Sequence, residues 1–197
     1  MNVQKWVSFF RKNLLIGAIT YFIIGILVQW QHLAATLHSY WPAALIQIFW
    51  LIVFGGLFSV LSQMGFFAYL TLHRIALGSF GSHSLWGKVQ LVLIAITIFD
   101  LYFFRHPDFS KHGQLLSYIL LPIILLVVSF IVAFFKKRAT NAFAFIPTLF
   151  FMTVITVLEW LVGLFQRDLG IVWVIGITLM MCNAYQVLTL HKLTTKD

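Results

Sequence analysis

Apolar residues in this chain come in six long blocks that short polar or charged segments separate. The blocks cover approximately residues 13–30, 42–69, 86–104, 115–135, 142–165 and 170–190. Each block approaches or exceeds the roughly 20 residues that an α-helix needs to cross the hydrocarbon core of a bilayer. The pattern therefore predicts an all-α membrane protein, a bundle of six transmembrane helices that forms a single domain over residues 1–197.

Two of the blocks predict irregular helices. From Pro42 to Arg74 the second block would extend about 48 Å as one helix, which exceeds a simple span. We expect its end to protrude into the cytoplasm or to lie along the membrane interface. Pro122 and Pro147 fall inside the fourth and fifth blocks, where the missing backbone donor predicts kinks.

Composition agrees with this pattern, because 61% of the residues are hydrophobic and only 9% are charged. Ordinary globular domains have about 25% charged residues. The net charge of +8 does not predict a nucleic-acid partner, since the basic residues occupy the gaps between blocks and do not form one stripe with stacking aromatics. The expected environment is a lipid bilayer, the bacterial cytoplasmic membrane.

Basic residues concentrate in alternate gaps and at the two termini. Ten of the 13 fall on one predicted side and three on the other. The larger group is Lys5, Arg11, Lys12, Arg74, Lys88, Lys136, Lys137, Arg138, Lys192 and Lys196, and the smaller is Arg105, Lys111 and Arg167. Positively charged short loops stay cytoplasmic. Both termini are therefore predicted to be cytoplasmic, with residues 136–138 in water at the inner surface.

Two acidic residues, Asp100 and Glu159, fall inside predicted spans. Ionisable groups at that depth are costly and count as functional hypotheses. Helical spacing places Thr156, Gly163 and Gln166 on the same stripe as Glu159. An interhelical hydrogen bond, a ligand or partner contact, and proton or ion coupling all remain open for this stripe and for Asp100.

Two further sets of residues predict close helix packing. Gly55, Ser59 and Ser62 repeat at spacings of four and three, which gives a small-residue seam on the second helix. Asn183 and Gln186 are three residues apart and share one face of the sixth helix. We expect both sets to make interhelical contacts, and we expect the bundle to bury Glu159 and the seam.

The sequence predicts neither an enzyme nor a metal or cofactor site. All seven histidines fall in loops or at predicted helix ends, whereas membrane haem needs ligands within the bundle. The chain has no Gly-x-Ser-x-Gly, His-Glu-x-x-His or Cys-x-x-Cys motif, and its single cysteine, Cys182, lies in an apolar block. With so few acids and bases, a catalytic site is hard to assemble.

One stretch carries a family resemblance that extends over nearly the whole chain. Residues 59–105 read SVLSQMGFFAYLTLHRIALGSFGSHSLWGKVQLVLIAITIFDLYFFR. The run SQMGFFAYLTLHR, followed by SLW and by FDLYFFR, resembles the KinB-signalling pathway activation (KbaA) family of endospore-forming bacilli. The resemblance implies an integral membrane accessory that activates a sensor histidine kinase, KinB-like, feeding the sporulation phosphorelay. It implies no catalytic residues.

An alternative function from another class is a small transporter or permease. In that case Asp100 and Glu159 would couple ions, and the proline-bent helices would line a path. The small size of the chain and the absence of internal repeat symmetry count against this alternative.

Overall fold

The structure is a computed structural model that describes residues 3–104, 115–166 and 168–194. The secondary structure in these ranges is helical, which confirms the all-α prediction for the described residues. The α-helices are α1 (Val3–Val28), α2 (Trp30–Ser39), α3 (Trp41–Phe80), α4 (His83–Phe104), α5 (Leu115–Ala139), α6 (Phe145–Phe150), α7 (Thr156–Leu164) and α8 (Leu169–Thr194). Lys111, Lys196 and the arginines 105 and 167, which entered the orientation argument, lie outside the described residues.

Six helical segments in the described ranges are long and apolar enough to cross a membrane, which confirms the number predicted from the sequence. They are α1, α3, α4, the apolar part of α5, the composite segment Ala142–Leu164, and α8. The orientation of these segments across a membrane stays a prediction.

The boundaries of two segments differ from the predicted ones. Helix α1 begins at Val3 and not near residue 13. Helix α3 is 40 residues long, about 60 Å at 1.5 Å per residue, and continues to Phe80, well past residue 69. The helix continues through polar positions because polar side chains can form hydrogen bonds within the helix. The Thr71 hydroxyl, for example, donates to the Phe67 carbonyl at 3.0 Å.

Helix α2 was not predicted, because residues 31–41 were interpreted as a loop. The hydroxyls of its polar residues are satisfied within the helix itself. Thr36 donates to the His32 carbonyl at 2.8 Å, and Ser39 donates to the Ala35 carbonyl at 2.9 Å. A short helix of this kind leaves no long apolar block in the sequence.

The composite segment Ala142–Leu164 is irregular around Pro147. A 3₁₀ turn at Ala142–Ala144 is followed by α6, a π-helical turn at Phe151–Ile155, and α7. The backbone N–H of Phe151 reaches the carbonyls of both Pro147 and Thr148. Proline removes one donor from the helix ladder, and the wider π turn follows one turn later. Pro122, in contrast, lies inside the continuous helix α5.

The chain divides into two compact units. The first comprises Met1–Gly65 and Glu159–Asp197. In this unit α1 and α3 approach closely at Gly17 and Gly55: a Cβ atom on Gly55 would lie 2.6 Å from the Gly17 carbonyl oxygen. The fully buried Trp160 donates its indole N–H to the Val172 carbonyl at 2.9 Å and joins α7 to α8.

The second unit comprises Phe66–Leu158 and has an aromatic core. Phe66 packs edge-on against Phe151 at 5.6 Å, and Tyr69 lies 5.2 Å from the same ring. Trp86 donates its indole N–H to His73 Nδ1 at 2.9 Å. The Tyr69 hydroxyl donates to the Pro147 carbonyl at 2.9 Å, beside the π turn.

Helix α5 corrects one expectation about the basic residues at its end. Lys136 is only 6% exposed, whereas Lys137 and Arg138 are exposed. The prediction that all three side chains lie in water is therefore wrong for Lys136. A long methylene stem allows a lysine to pack along protein before its charged end reaches a polar environment.

Candidate functional site

The first unit contains a buried carboxyl group, that of Glu159 in the first turn of α7. Glu159 is only 6% exposed. The carboxylate oxygen Oε2 accepts a hydrogen bond from Asn183 Nδ2 at 2.7 Å. The other oxygen, Oε1, lies directly against Gly65, where an added Cβ atom would overlap it. The absence of a side chain at Gly65 therefore leaves the space that the carboxyl group occupies.

Two more side chains, Ser62 and Gln186, continue this contact as a directed chain of hydrogen bonds. Gln186 Nε2 donates to Ser62 Oγ at 2.5 Å, and Ser62 Oγ donates to Asn183 Oδ1 at 2.7 Å. Asn183 then donates to Glu159. Ser62, Glu159, Asn183 and Gln186, here called the Glu159 cluster, join α3, α7 and α8. Ser62, Asn183 and Gln186 are fully buried.

A second polar group, here called the Asn13 cluster, joins α1 to α3. It consists of Asn13, Ser59 and Gln63. Asn13 Nδ2 donates to Ser59 Oγ at 3.2 Å, and Gln63 Nε2 donates to the same oxygen at 3.3 Å. Asn13 and Gln63 were missed in the sequence analysis. The spacing of four between Ser59 and Gln63 was the available signal, because it places both on one helix face.

Three buried side-chain oxygens of the two clusters are unpaired among the described residues. Glu159 Oε1, Gln186 Oε1 and Asn13 Oδ1 are buried and have no hydrogen-bond partner in the described part of the chain. An unsatisfied buried polar group costs about 1–3 kcal/mol. Hydrogen bonds between transmembrane helices contribute about 0.6 kcal/mol each on average. Each of these unpaired oxygens therefore lowers the stability of the bundle, which points to a role for the clusters beyond stability.

The other candidate residues lie in different surroundings. Gly55 and Ser59 are buried at the α1–α3 approach and in the Asn13 cluster respectively. Thr156 is fully buried and belongs to the second unit. Gln166 is exposed and lies beyond the end of α7, so it does not share the helical stripe expected for Glu159. Asp100 is exposed on α4.

The described part of the chain contains no group of three or more His, Cys, Asp or Glu side chains that could hold a metal ion. Glu159 is a buried acid in this part of the chain, and its carboxylate accepts a hydrogen bond from the amide of Asn183. Such an arrangement suits hydrogen bonding between helices.

The fold and the clusters define a class of protein: an α-helical chain of membrane-spanning composition whose buried polar groups connect its helices. A family model described as KinB-signalling pathway activation in sporulation (KbaA) matches residues 17–193. The chain is 38% identical over 198 residues to the KinB-signaling pathway activation protein of Bacillus subtilis (strain 168), and the similarity covers 100% of both chains. The chain therefore belongs to the KbaA family. No solved structure matches it.

Proposed function

We propose that this protein is a multi-pass accessory of the bacterial cytoplasmic membrane that activates a KinB-like sensor histidine kinase upstream of the sporulation phosphorelay. The observation that carries the proposal is the full-length similarity to a protein named for activation of the KinB signalling pathway. The family match also includes all four residues of the Glu159 cluster. A regulator of this kind acts by binding and not by catalysis.

Several features support a membrane location. Six segments have the length and hydropathy of membrane spans. Large apolar side chains are exposed along the helices, among them Ile19, Ile23 and Leu27 at intervals of four on α1. Water would penalise such a surface, whereas lipid would cover it. The excess of basic residues in alternate gaps favours cytoplasmic termini.

Activation of a kinase requires that the accessory bind the active state more tightly than the inactive state. A tenfold shift of that equilibrium corresponds to a difference of about 1.4 kcal/mol. In this proposal the exposed apolar helix faces contact the membrane helices of the kinase. The Glu159 cluster holds α3, α7 and α8 in the arrangement that presents those faces.

A crosslinking experiment in native membranes tests the contact with a kinase. A photoreactive amino acid would replace Ile19 or Phe49, whose side chains are 54% and 60% exposed, and covalent products would be purified under denaturing conditions. We expect recovery of a membrane histidine kinase. Its absence from the products of several exposed positions, combined with solute flux in reconstituted vesicles, would instead support a transporter.

A further inference from the structure

A cleft of about 570 Å³ lies in the first unit between the amino-terminal part of α1 and the carboxyl-terminal part of α8. Three lysines line it: Lys5, Lys12 and Lys192. Ser8, Phe9 and Tyr185 also contribute to its walls. The volume falls within the range of small-ligand sites. Neither the Glu159 cluster nor the Asn13 cluster includes any of these residues.

Helical periodicity explains why these side chains converge. Lys5 and Lys12 are seven residues apart on α1, and Tyr185 and Lys192 are seven apart on α8. A spacing of seven corresponds to nearly two helical turns and keeps both members of a pair on one face. Phe9 stacks on Tyr185 with ring centroids 5.6 Å apart and holds the two faces together.

The charged side chains that line the cleft in the described part of the chain are all lysines. The lysine ammonium groups are donors only, and no carboxylate in the described ranges lines the cleft. Glu159 and Asp168 lie in the described part of the first unit, and neither is among the walls of the cleft. Ammonium groups that converge in this way bind phosphate as point charges.

The position of the cleft favours a lipid as the source of that phosphate. The aromatic rings of Phe9 and Tyr185 line the cleft beside the lysines, and Trp6 packs against Phe9. Aromatic residues combined with basic ones are typical of the headgroup region. Basic pockets between transmembrane helices on the cytoplasmic side bind the headgroups of anionic lipids. We propose that this cleft binds a phosphate group, supplied by an anionic phospholipid of the inner leaflet. The lipid part rests on the proposed membrane location.

Lipid retention in nanodiscs tests the site. The full-length protein would be placed in discs of phosphatidylcholine with about 30% phosphatidylglycerol, and lipid adducts would be counted by native mass spectrometry. The variant Lys12→Gln/Lys192→Gln removes two cleft charges. We expect about fivefold weaker phosphatidylglycerol binding per lysine, or roughly thirtyfold for both.

A matched control removes the same charge elsewhere. Lys88 and Lys137 are exposed and do not line the cleft. The variant Lys88→Gln/Lys137→Gln should retain the specific adduct with less than about a threefold loss, since all three cleft lysines remain and exposed charges are screened by salt. Circular dichroism of both variants would verify that they remain helical. Equal losses in the two variants would overturn the proposal.

A second arm distinguishes a lipid from a soluble anion. The protein in pure phosphatidylcholine discs would be titrated with inorganic phosphate at constant ionic strength. Phosphate binding that depends on Lys12 and Lys192, without lipid adducts, would retain the phosphate chemistry but overturn the lipid source. Absence of any lysine-dependent binding in both arms would overturn the whole proposal. No kinase enters this experiment, so its result is independent of the kinase contact.

Discussion

Asn183 donates a side-chain N–H to Glu159 across 2.7 Å and thereby connects α8 to α7. The other end of the same amide accepts from Ser62 on α3. One asparagine thus uses both its donor and its acceptor to hold three helices. Since these groups bond to one another inside the chain, we infer that they set its conformation.

Substitution of Glu159 tests whether signalling depends on the hydrogen bond to Asn183 or on a titratable proton. Glu159→Gln keeps the shape and an acceptor for Asn183, so we expect nearly unchanged unfolding in detergent and most of the signalling output. Glu159→Leu leaves the Asn183 donor unsatisfied and should cost about 1–3 kcal/mol of stability. Equal loss of signalling in both variants, together with pH-dependent solute flux in vesicles, would favour ion coupling.

Gly65 gives a test of the space around the carboxyl group. A Cβ atom at this position would overlap Glu159 Oε1. We expect Gly65→Ala to reduce stability by about 1–3 kcal/mol, the usual cost of overpacking. Gly56→Ala on the same helix is the control, because its Cβ would meet only Leu14 Cδ1, at 3.9 Å.

A double-mutant cycle separates this clash from a general effect of alanine. Glu159→Ala removes the atoms that Gly65→Ala would strike, so the double variant should be more stable than the sum of the two single effects predicts. Thermal unfolding of the four proteins in one detergent measures the coupling. Strict additivity would contradict the contact.

The α1–α3 approach predicts a larger effect at Gly55. An added Cβ there would lie 2.6 Å from the Gly17 carbonyl oxygen and 2.7 Å from Ala18 Cα. Both are backbone atoms, which cannot rotate away as a flexible side chain can. We expect Gly55→Ala to lower the stability by at least about 1–3 kcal/mol, against little change for Gly56→Ala. Similar unfolding temperatures for the two variants would contradict this packing.

The six long helical segments could be predicted from the sequence because each contains a long apolar block. The details of the helices could not be predicted in this way. Helix α2 has too few apolar residues to form such a block, and the π turn at Phe151–Ile155 is a change of backbone hydrogen bonding that hydropathy does not record. Single-helix spacing likewise could not reveal that Lys136 is buried.

For the candidate site, spacing identified residues but not their partners. The three-residue interval placed Asn183 and Gln186 on one face of α8, and in the structure both bond to Ser62. The choice of Ser62 depends on which helices pack together, and a single sequence does not give that choice. Gln166 was misplaced because the stripe was extended beyond Leu164, where α7 ends.

Reporter fusions test the proposed orientation. Fusions after Arg138 and at the carboxyl terminus should show cytoplasmic activity, whereas fusions near Ser39, His112 and Asp168 should report the exterior. The ten-to-three distribution of basic residues is the reason. His112 lies outside the described residues. A cytoplasmic signal there would exclude six alternating spans.

The most direct test of the account measures phosphorelay output in Bacillus subtilis cells that lack their own KinB-signaling pathway activation protein and produce this chain instead. Two strains are compared, one in which KinB is the only sporulation kinase and one that relies on a different kinase. We predict that this chain restores output in the KinB strain by at least about tenfold, the effect of a 1.4 kcal/mol bias, and leaves the other strain unchanged. Equal output with and without the chain in the KinB strain, despite its presence in the membrane fraction, would contradict the proposed function.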